Sequence, residues 1–598
     1  MAADVTSATV SGQPLRQMRS WRDFFGKFLR LAGPYWNSEA RWRVRGLTAL
    51  LVALTVAQVA VPVALNLWSE HLFDALAGRA MDRFLRLLGV LAVIIAANVV
   101  VLTMHLRVRR RLQIDWRDWL TRRLGGEWMA GGRHYRLTHI PGEHDNPDGR
   151  IAEDARITTE YAIDLAHSLL YCLLLLVSFT QILWSLSGPP QIELWRVHLY
   201  IPGHLVWVAL VYAAIGTSAA LLLGRPLVRA TDRRQTFEAN FRFGLVHARE
   251  NSLAIALVQG EADERGYFLG LFRGAVEAWD GQTRALVNIF YYTSSWSVLS
   301  QVFPVLVAAP RYIIGAITLG VLMQTAQAFQ QMIAALSWPV DNLSKLADWR
   351  ASVERVLGLH EGVERLEGRI PALPHEMIGV SAGSAPALTL HELSVTDPDG
   401  KPILAAFDAE IARGERVLIS GDPGAADKIF KAVAGLWPWG RGTVELPRNA
   451  DVFFLPQKPY LPIGSLRHAI AYPTPREPHG EAEFRAALER VGLSHLIPRL
   501  DDVGNWDQLL GMAEEQRLGF ARLLLHRPSW IFIQEATDAL DPESESDMMR
   551  LLQEEFPEAT VITIGFHAGL DAYHRRKILL ERTDDVVIAR EAGPAKAR

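Results

Sequence analysis

Six stretches of this chain are too long and too free of charge to sit comfortably in water. Residues 46–68, 87–106, 165–192, 197–224, 285–310 and 312–340 contain no Asp, Glu, Lys or Arg; Glu193 and Arg196 part the third from the fourth, and Arg311 parts the fifth from the sixth. A helix rises ~1.5 Å per residue, so about 20 apolar residues cross the ~30 Å hydrocarbon layer. A soluble core would have to surround six such helices on every side. The pattern predicts six transmembrane spans instead.

Arginine placement gives their direction. The segment 107–159 carries eleven Arg and 225–284 carries nine, whereas the opposite connections hold few: Arg79, Arg83 and Arg86, then Arg196, and Arg311. Positive charge stays on the cytoplasmic side, so both long connections and both termini are expected there, with helices running beyond the bilayer. The first 40 residues lack the charged, apolar and small-residue blocks of a secretory signal. Their run RSWRDFFGKFLRLAGPYW is expected to lie along the inner membrane surface, giving an interfacial segment over 1–45. Pro62, Pro202, Pro304 and Pro339 fall in or at the ends of spans, and Pro310 with Arg311 is expected to turn the chain between the last two. Lys+Arg 62 against Asp+Glu 65 gives formal charge -3, which argues against nucleic-acid binding. The sole cysteine, Cys172, lies in an apolar run, excluding an internal disulfide. No metal-binding cluster is expected.

Three polar groups stand out in the membrane half. Gln324, Gln327 and Gln331 recur at i, i+3 and i+7 and share one helical face, which either joins helices or lines a solute pathway. Asp164 and His167, near the inner end of the third span, read as a structural pair or a proton-responsive one. Glu70, His71 and Asp74 occupy the outer mouth after the first span, where solvation alone would also account for them.

The chain changes character after residue 360. A linker is expected over 361–387, with RIPALPHEMIGVSAGSAP at its centre. From 388, LTLHELSVTDPDGKPILAAFDAEIARGERVLIS alternates apolar and polar positions between turn signals, as strands of an α/β domain do. That domain is expected over 388–583, with 584–598 a frayed tail. The membrane domain then covers 46–360.

Motifs in both halves carry a family resemblance. NWDQLLGMAEEQRLGFARLLLHRPSWIFIQEATDALD (505–541) resembles the signature, Walker B and D-loop run of an ATP-binding cassette. WRDWLTRRLGGEWMAGGRHYRL (116–137), DNPDGRIAED (145–154), FRFGLVHARENSLAIALVQGE (241–261) and APRYIIGAITLGVLMQ (309–324) resemble SbmA/BacA-type uptake permeases. They also resemble the fused-cassette relatives in the peroxisomal fatty-acyl transporter (ALD) branch of ABC transporters. The resemblance covers about residues 40–583, departing at Leu253, where relatives carry Glu. It implies a polytopic α-helical membrane domain of ABC exporter type fused to an α/β nucleotide-binding domain. It further implies a homodimer in a bacterial inner membrane with the cassette cytoplasmic, moving peptides, cobalamin-like solutes or acyl chains.

The cassette departs from its family at five of its working positions. A Walker A loop needs two glycines, a lysine for the β/γ-phosphates and a hydroxyl for Mg²⁺. In GDPGAADKIFKAVAGLWP (421–438), Gly421 and Gly424 remain, but Ala426, Asp427 and Lys428 take the glycine, lysine and hydroxyl positions. Counted back from AGLWP, the run is one residue short. Gln534 replaces the Mg²⁺-steadying Asp, although Glu535 keeps the general-base position. In LGMAEEQR, Gly511, Met512 and Ala513 replace Ser-Gly-Gly. Phe566 holds the switch-histidine position, with His567 one residue late. Gln457 of the Q-loop and Asp541 of the D-loop survive.

Each composite site joins one Walker A to the partner's signature, so an intact partner would rescue neither. The expectation is a transporter with a degenerate cassette, no ATP hydrolysis and no cofactor, coupled to a proton or ion gradient. Its partners would be a second copy, membrane lipid and a peptide or other bulky solute. An ordinary ATP- and Mg²⁺-dependent transporter and a non-transporting sensor or scaffold are the alternatives.

Overall fold

The computed structural model describes residues 21–139, 146–188, 193–194, 197–198, 202–366, 377–383, 385–448, 450–473, 479–583 and 586–592. The chain forms two compact units. The first comprises residues up to Gly125 and Asn146–His360; the second comprises Gly126–Asp145 and Glu361 onward. Residues 126–139, inside the 46–360 segment by sequence, therefore belong with the cassette. The first twenty residues, residues 367–376 and 384 of the expected linker, and the end of the tail lie outside the described residues.

The first unit is built from long helices: α1 (Trp21–Trp36), α2 (Arg41–Ala77), α3 (Met81–Met129), α4 (Ala155–Leu186), α5 (His204–Glu250), α6 (Glu261–Ile313), α7 (Leu319–Asp341) and α8 (Leu343–Leu366). Among the described residues, four helical stretches are long and apolar enough to cross a membrane: Arg41–Ala77, Met81–His139, Pro147–Leu186 and His204–Glu250. The fifth and sixth expected spans fall within α6 and α7, which are long enough but less apolar. Tyr291, Tyr292, Thr293, Ser294 and Ser295 dilute α6, and Gln324, Gln327, Gln330 and Gln331 dilute α7.

One expectation is corrected here. Pro310 and Arg311 do not make the turn, because α6 continues through them to Ile313. The reversal comes at Gly315, whose φ of +75° suits glycine, and Thr318 then caps α7 by accepting from Val321 N–H at 3.2 Å. Arg311 instead reaches the Leu186 and Ser187 carbonyls at 2.8 and 3.0 Å, closing the C-terminus of α4. One side of α1 packs on protein, with Phe24 fully buried and its ring 5.3 Å from Trp349 and Tyr35 stacked 5.8 Å from Trp116, while Trp21, Phe25 and Leu29 remain exposed.

Lipid offers no hydrophobic drive for one helix to prefer another, so packing decides. Phe179, Leu183, Ala209, Ala328, Phe329 and Met332 form a dry centre among α4, α5 and α7. α7 reaches α2 closely at Gly320, where a Cβ would run into the Glu70 carbonyl oxygen and the Asp74 carboxyl group.

The second unit carries a ten-stranded sheet of β1 (Gly379–Gly383), β2 (Leu388–Thr396), β3 (Pro402–Ile411), β4 (Arg416–Gly421), β5 (Gly440–Pro447), β6 (Val452–Leu455), β7 (Trp530–Gln534), β8 (Thr560–Ile564), β9 (Arg576–Thr583) and β10 (Val586–Ala592), in the order β1-β5-β2-β3-β10-β9-β4-β8-β7-β6. Strands β9, β4, β8, β7 and β6 run parallel, and β8 and β7 at their centre read as apolar runs because both faces are covered. The sheet extends beyond 388–583 at both ends. β1 lies in the expected linker, its GVSAG too small and polar to signal a strand. β10 lies in the expected tail, paired antiparallel along the whole of β9. Helices α9 (Pro423–Val433), α10 (Met512–His526) and α11 (Pro542–Glu555) complete the frame of the site.

Candidate functional site

Parallel strands of an α/β sheet present their C-terminal ends to a ligand crevice. Here β4 ends at Gly421, β7 at Gln534, and β8 just before Phe566. Gly421 has φ +113°, and a Cβ there would run into the Leu580 carbonyl oxygen, so only glycine fits. α9 starts at Pro423, leaving Asp422 alone between strand and helix. Residues 423–426, which should arch over phosphates, form the first helical turn.

Asp422 caps that helix. Its Oδ1 accepts from Ala425 N–H at 2.9 Å and its Oδ2 pairs with Arg582 at 2.8 Å. A helix N-terminus attracts an anion through its free N–H groups and its dipole. In this chain the anion is a side chain. Burial works to raise the Asp422 pKa, but the Ala425 N–H and Arg582 outweigh it and hold the carboxylate below its ordinary range. Asp422→Ala is expected to cost about 1 kcal/mol as a lost N-cap, read from thermal unfolding of the cassette. Gly424 sits in the same turn, where a Cβ would stand 3.3 Å from Asp422 Oδ1.

One helical turn on, Ala426 is buried and Asp427 collects three donors. Gln534 Nε2 donates to Oδ1 at 2.9 Å, while Lys428 and Lys431 Nζ donate to Oδ2 at 2.9 and 2.8 Å. Burial opposes its ionisation, yet Lys431, Lys428 and Gln534 together keep Asp427 below the usual carboxylate range. The Lys428 ammonium also lies 4.3 Å from the centre of the Trp437 ring. Lys431 continues the network to the hydroxyl of Tyr135, and His139 packs edge-on against Trp437 and Trp439 at 5.1 and 5.6 Å. Segment 126–139 is thus tied to Asp427 through Tyr135 and Lys431.

Glu535 follows Gln534 in a left-handed conformation, φ +49°. Gln457 Nε2 donates to it at 3.2 Å; burial, Asp538 and Asp427 raise its pKa above the ordinary value. Gly511 caps α10, its N–H bonded to Glu514 at 3.0 Å, with Met512 exposed and Ala513 half-buried. Phe566 is partly exposed, and His567 turns to Glu545 on α11 at 3.2 Å. Asp541 caps α11, accepting from Glu543 and Ser544 N–H groups at 3.1 and 3.0 Å.

The sequence reading missed Gln516, Arg522, Lys431 and Tyr135. Gln516 donates to the Gln457 and Glu535 carbonyls at 3.0 and 3.3 Å and accepts from Ala539 N–H at 3.0 Å, tying three motifs together. Its signal was present as the glutamine of LGMAEEQR.

In the membrane unit the expected pair separates. Asp164 binds Lys345 Nζ at 2.7 Å and Gln113 Nε2 at 2.8 Å, whereas His167 lies against His105 with ring centres 4.2 Å apart. Asp74 is half-buried, and its Oδ1 accepts from Gly320 N–H at 2.9 Å. His71 Nδ1 lies 3.3 Å from Arg83, and Glu70 is half-buried. On the glutamine face, Gln324 is buried while Gln327 and Gln331 are half-buried.

Residues 32–313 match the family profile of ABC transporter transmembrane region 2. Over 90% of this chain aligns with full-length relatives of fused type. The inner membrane ABC transporter ATP-binding protein YddA of Escherichia coli K12 is 28% identical, covering 92% of this chain and 96% of that protein. ABC transporter D family member 2, chloroplastic, of Arabidopsis thaliana is 27% identical, covering 93% of this chain and 86% of that protein. A solved bacterial Atm1-family ABC exporter superposes with TM-score 0.67 at 18% identity, covering 93% of this chain and 96% of that one. The comparisons support membership of the ABC transporter family. The chain is a membrane protein of transporter type, with an exporter-type fold that joins a helical membrane domain to an α/β cassette. These relatives are ABCD- and YddA-like, which leaves the likeness to SbmA/BacA permeases as the finer, proposed part.

Proposed function

We propose that this chain is a six-span inner-membrane transporter subunit, working as a homodimer, that takes up peptides or similarly bulky solutes without ATP hydrolysis. The observation that carries the reading is the Asp422 carboxylate on the N-terminus of α9, with Asp427 behind it in the lysine position. Two carboxylates oppose phosphate where a cradle of amides and a cation would attract it, and Gln534 brings no charge to a metal ion. The residues present do not fit a magnesium nucleotide. An ion or proton gradient is then the natural energy source, with the cassette serving dimerisation and stability. Purified protein titrated with ATP and Mg²⁺ is expected to show neither saturable binding nor phosphate release. In proteoliposomes, uptake is expected to persist when ATP is depleted and the gradient held. Uptake that collapses under those conditions would sink the proposal.

One observation favours a conventional ATP-driven transporter. Glu535 still ends β7 with Gln457 bonded to it, as a general base and Q-loop would be placed. That reading predicts phosphate release abolished by Glu535→Gln; the present one predicts no change.

A further inference from the structure

A cavity of about 540 Å³ lies between α5 and α6, lined by Arg229 and Arg233 of the first and by Glu277, Asp280 and Arg284 of the second. Gln282 fastens the two helices, accepting from Arg234 Nη1 and donating to Thr231 Oγ1, each at 2.9 Å. The Arg234 guanidinium lies over the Trp279 ring, 3.6 Å from its centre. Arg234 is thus engaged in the helix contact. The three arginines of the cavity are not. Among the described residues none of them forms an ion pair, although two carboxylates share the same walls. Arg284 Nε reaches only the Asp280 main-chain carbonyl, at 3.4 Å, and Arg233 lies 5.7 Å from the Phe237 ring.

The charges are ordered along the helices. Gly224 stands opposite Ile289, Thr231 opposite Gln282, and Phe237 opposite Gly274. Arg229 and Arg284 are therefore level, Arg233 and Asp280 come a turn later, and Glu277 later still. The fourth uncharged run ends at 224 and the fifth begins at 285. At ~1.5 Å per residue, Arg229 and Arg284 stand within about 7 Å of those ends, with the acids farther from the bilayer. Toward the runs the same helix faces turn apolar: Leu222, seven residues before Arg229, is 61% exposed, and Val287, three after Arg284, is 44% exposed. Guanidinium groups match phosphate in charge and fork geometry. A free phosphate would use the arginines and leave the apolar surface bare, whereas a phospholipid uses both.

We propose that Arg229, Arg233 and Arg284 hold the phosphate headgroup of an anionic phospholipid of the cytoplasmic leaflet, with its chains along the apolar faces of α5 and α6. The site rests on the reading of α5 and α6 as spans with cytoplasmic extensions. The test is native mass spectrometry of the full-length protein in detergent, titrated with phosphatidylglycerol or with phosphatidylcholine of the same chains. Saturable, preferential binding of one phosphatidylglycerol per chain is expected. Arg229→Gln and Arg284→Gln should each weaken it about fivefold, and the double variant about twentyfold. Asp280→Asn should strengthen it, a gain that damage to the fold would not produce. Arg107→Gln, the same charge change on an exposed arginine at the inner end of the second run, should leave it unchanged. An equal loss in Arg107→Gln would mean diffuse attraction to the whole basic surface and would overturn the proposal. So would equal binding of the two lipids, or displacement of the lipid by inorganic phosphate at the same concentration, which would make a free anion the occupant. Binding in detergent does not depend on which side of a bilayer the cavity faces. Labelling of Ala239→Cys by an impermeant reagent in inverted vesicles reads the topology separately, so either result can fail alone.

Discussion

Replacing Arg522 by methionine is expected to loosen residues 456–473 while leaving the parallel sheet in place. Arg522 lies on α10, 5% exposed, and its guanidinium donates to the Tyr460 carbonyl at 2.6 Å and twice to the Ala469 carbonyl at 3.0 and 2.6 Å. Burial pushes its pKa down to about 10, so desolvation already offsets part of what the charge contributes. Charge-assisted hydrogen bonds are worth ~1.5–3 kcal/mol each, and two carbonyls would be left without donors. Methionine keeps much of the stem's volume, so the loss is chiefly polar, about 2–4 kcal/mol net. Hydrogen exchange of the full chain checks it: amides around Tyr460 and Ala469 should exchange faster by a factor of ~30 or more, and those of β4, β7 and β8 far less.

Little in the sequence announces that arginine, because its partners are carbonyls 53 and 62 positions away. The same limit divides the rest of the molecule. A bilayer demands long uncharged runs whatever surrounds them, so the spans at 46–68, 87–106, 165–192 and 197–224 stand out in the bare sequence. The helix α7 buries Gln324 against its neighbours and α6 carries the Tyr291–Ser295 run, of which Tyr292 donates to the Gly216 carbonyl, and their apolar signal weakens accordingly. Local chemistry also misled where two solutions compete. Pro310 and Arg311 look like a turn, yet a helix tolerates proline where neighbours repack, and Gly315 supplies the positive φ the reversal needs.

In the cassette, motif spacing pointed to each of the candidate positions, since a phosphate site requires particular residues at fixed intervals. It did not expose what those residues do instead. That Asp422 caps α9 and pairs with Arg582, 160 residues on, depends on β9 lying beside β4. A compensating exchange was legible in principle. The lysine position became acidic and the acidic position became an amide, and the two side chains meet at 2.9 Å.

That exchange makes a reversion informative. Asp427→Lys restores the family's residue at its family position, and a merely divergent cassette should gain nucleotide affinity from it. The present geometry predicts the opposite. The new ammonium would face Lys428 and Lys431, both within 2.9 Å of the carboxylate it replaces, and Gln534 would lose its acceptor. Three cations sharing a half-buried pocket, with their one anion gone, should cost about 2–3 kcal/mol after allowance for solvent. Asp427→Asn, which keeps the shape and an acceptor, should cost less. The wild-type contribution should also follow pH. Because the folded protein holds Asp427 below its ordinary pKa, the stabilisation is complete above the normal carboxylate range and disappears as pH falls through the depressed value. Thermal unfolding of the three proteins at neutral and acidic pH would show the gap between wild type and Asp427→Lys narrowing in acid. Adding ATP and Mg²⁺ should shift none of the three, since a ligand stabilises only what it binds. A reverted protein that melted higher with nucleotide present would mean that α9 can unwind its first turn into a phosphate loop, and that Asp422 is a cap the ligand can displace.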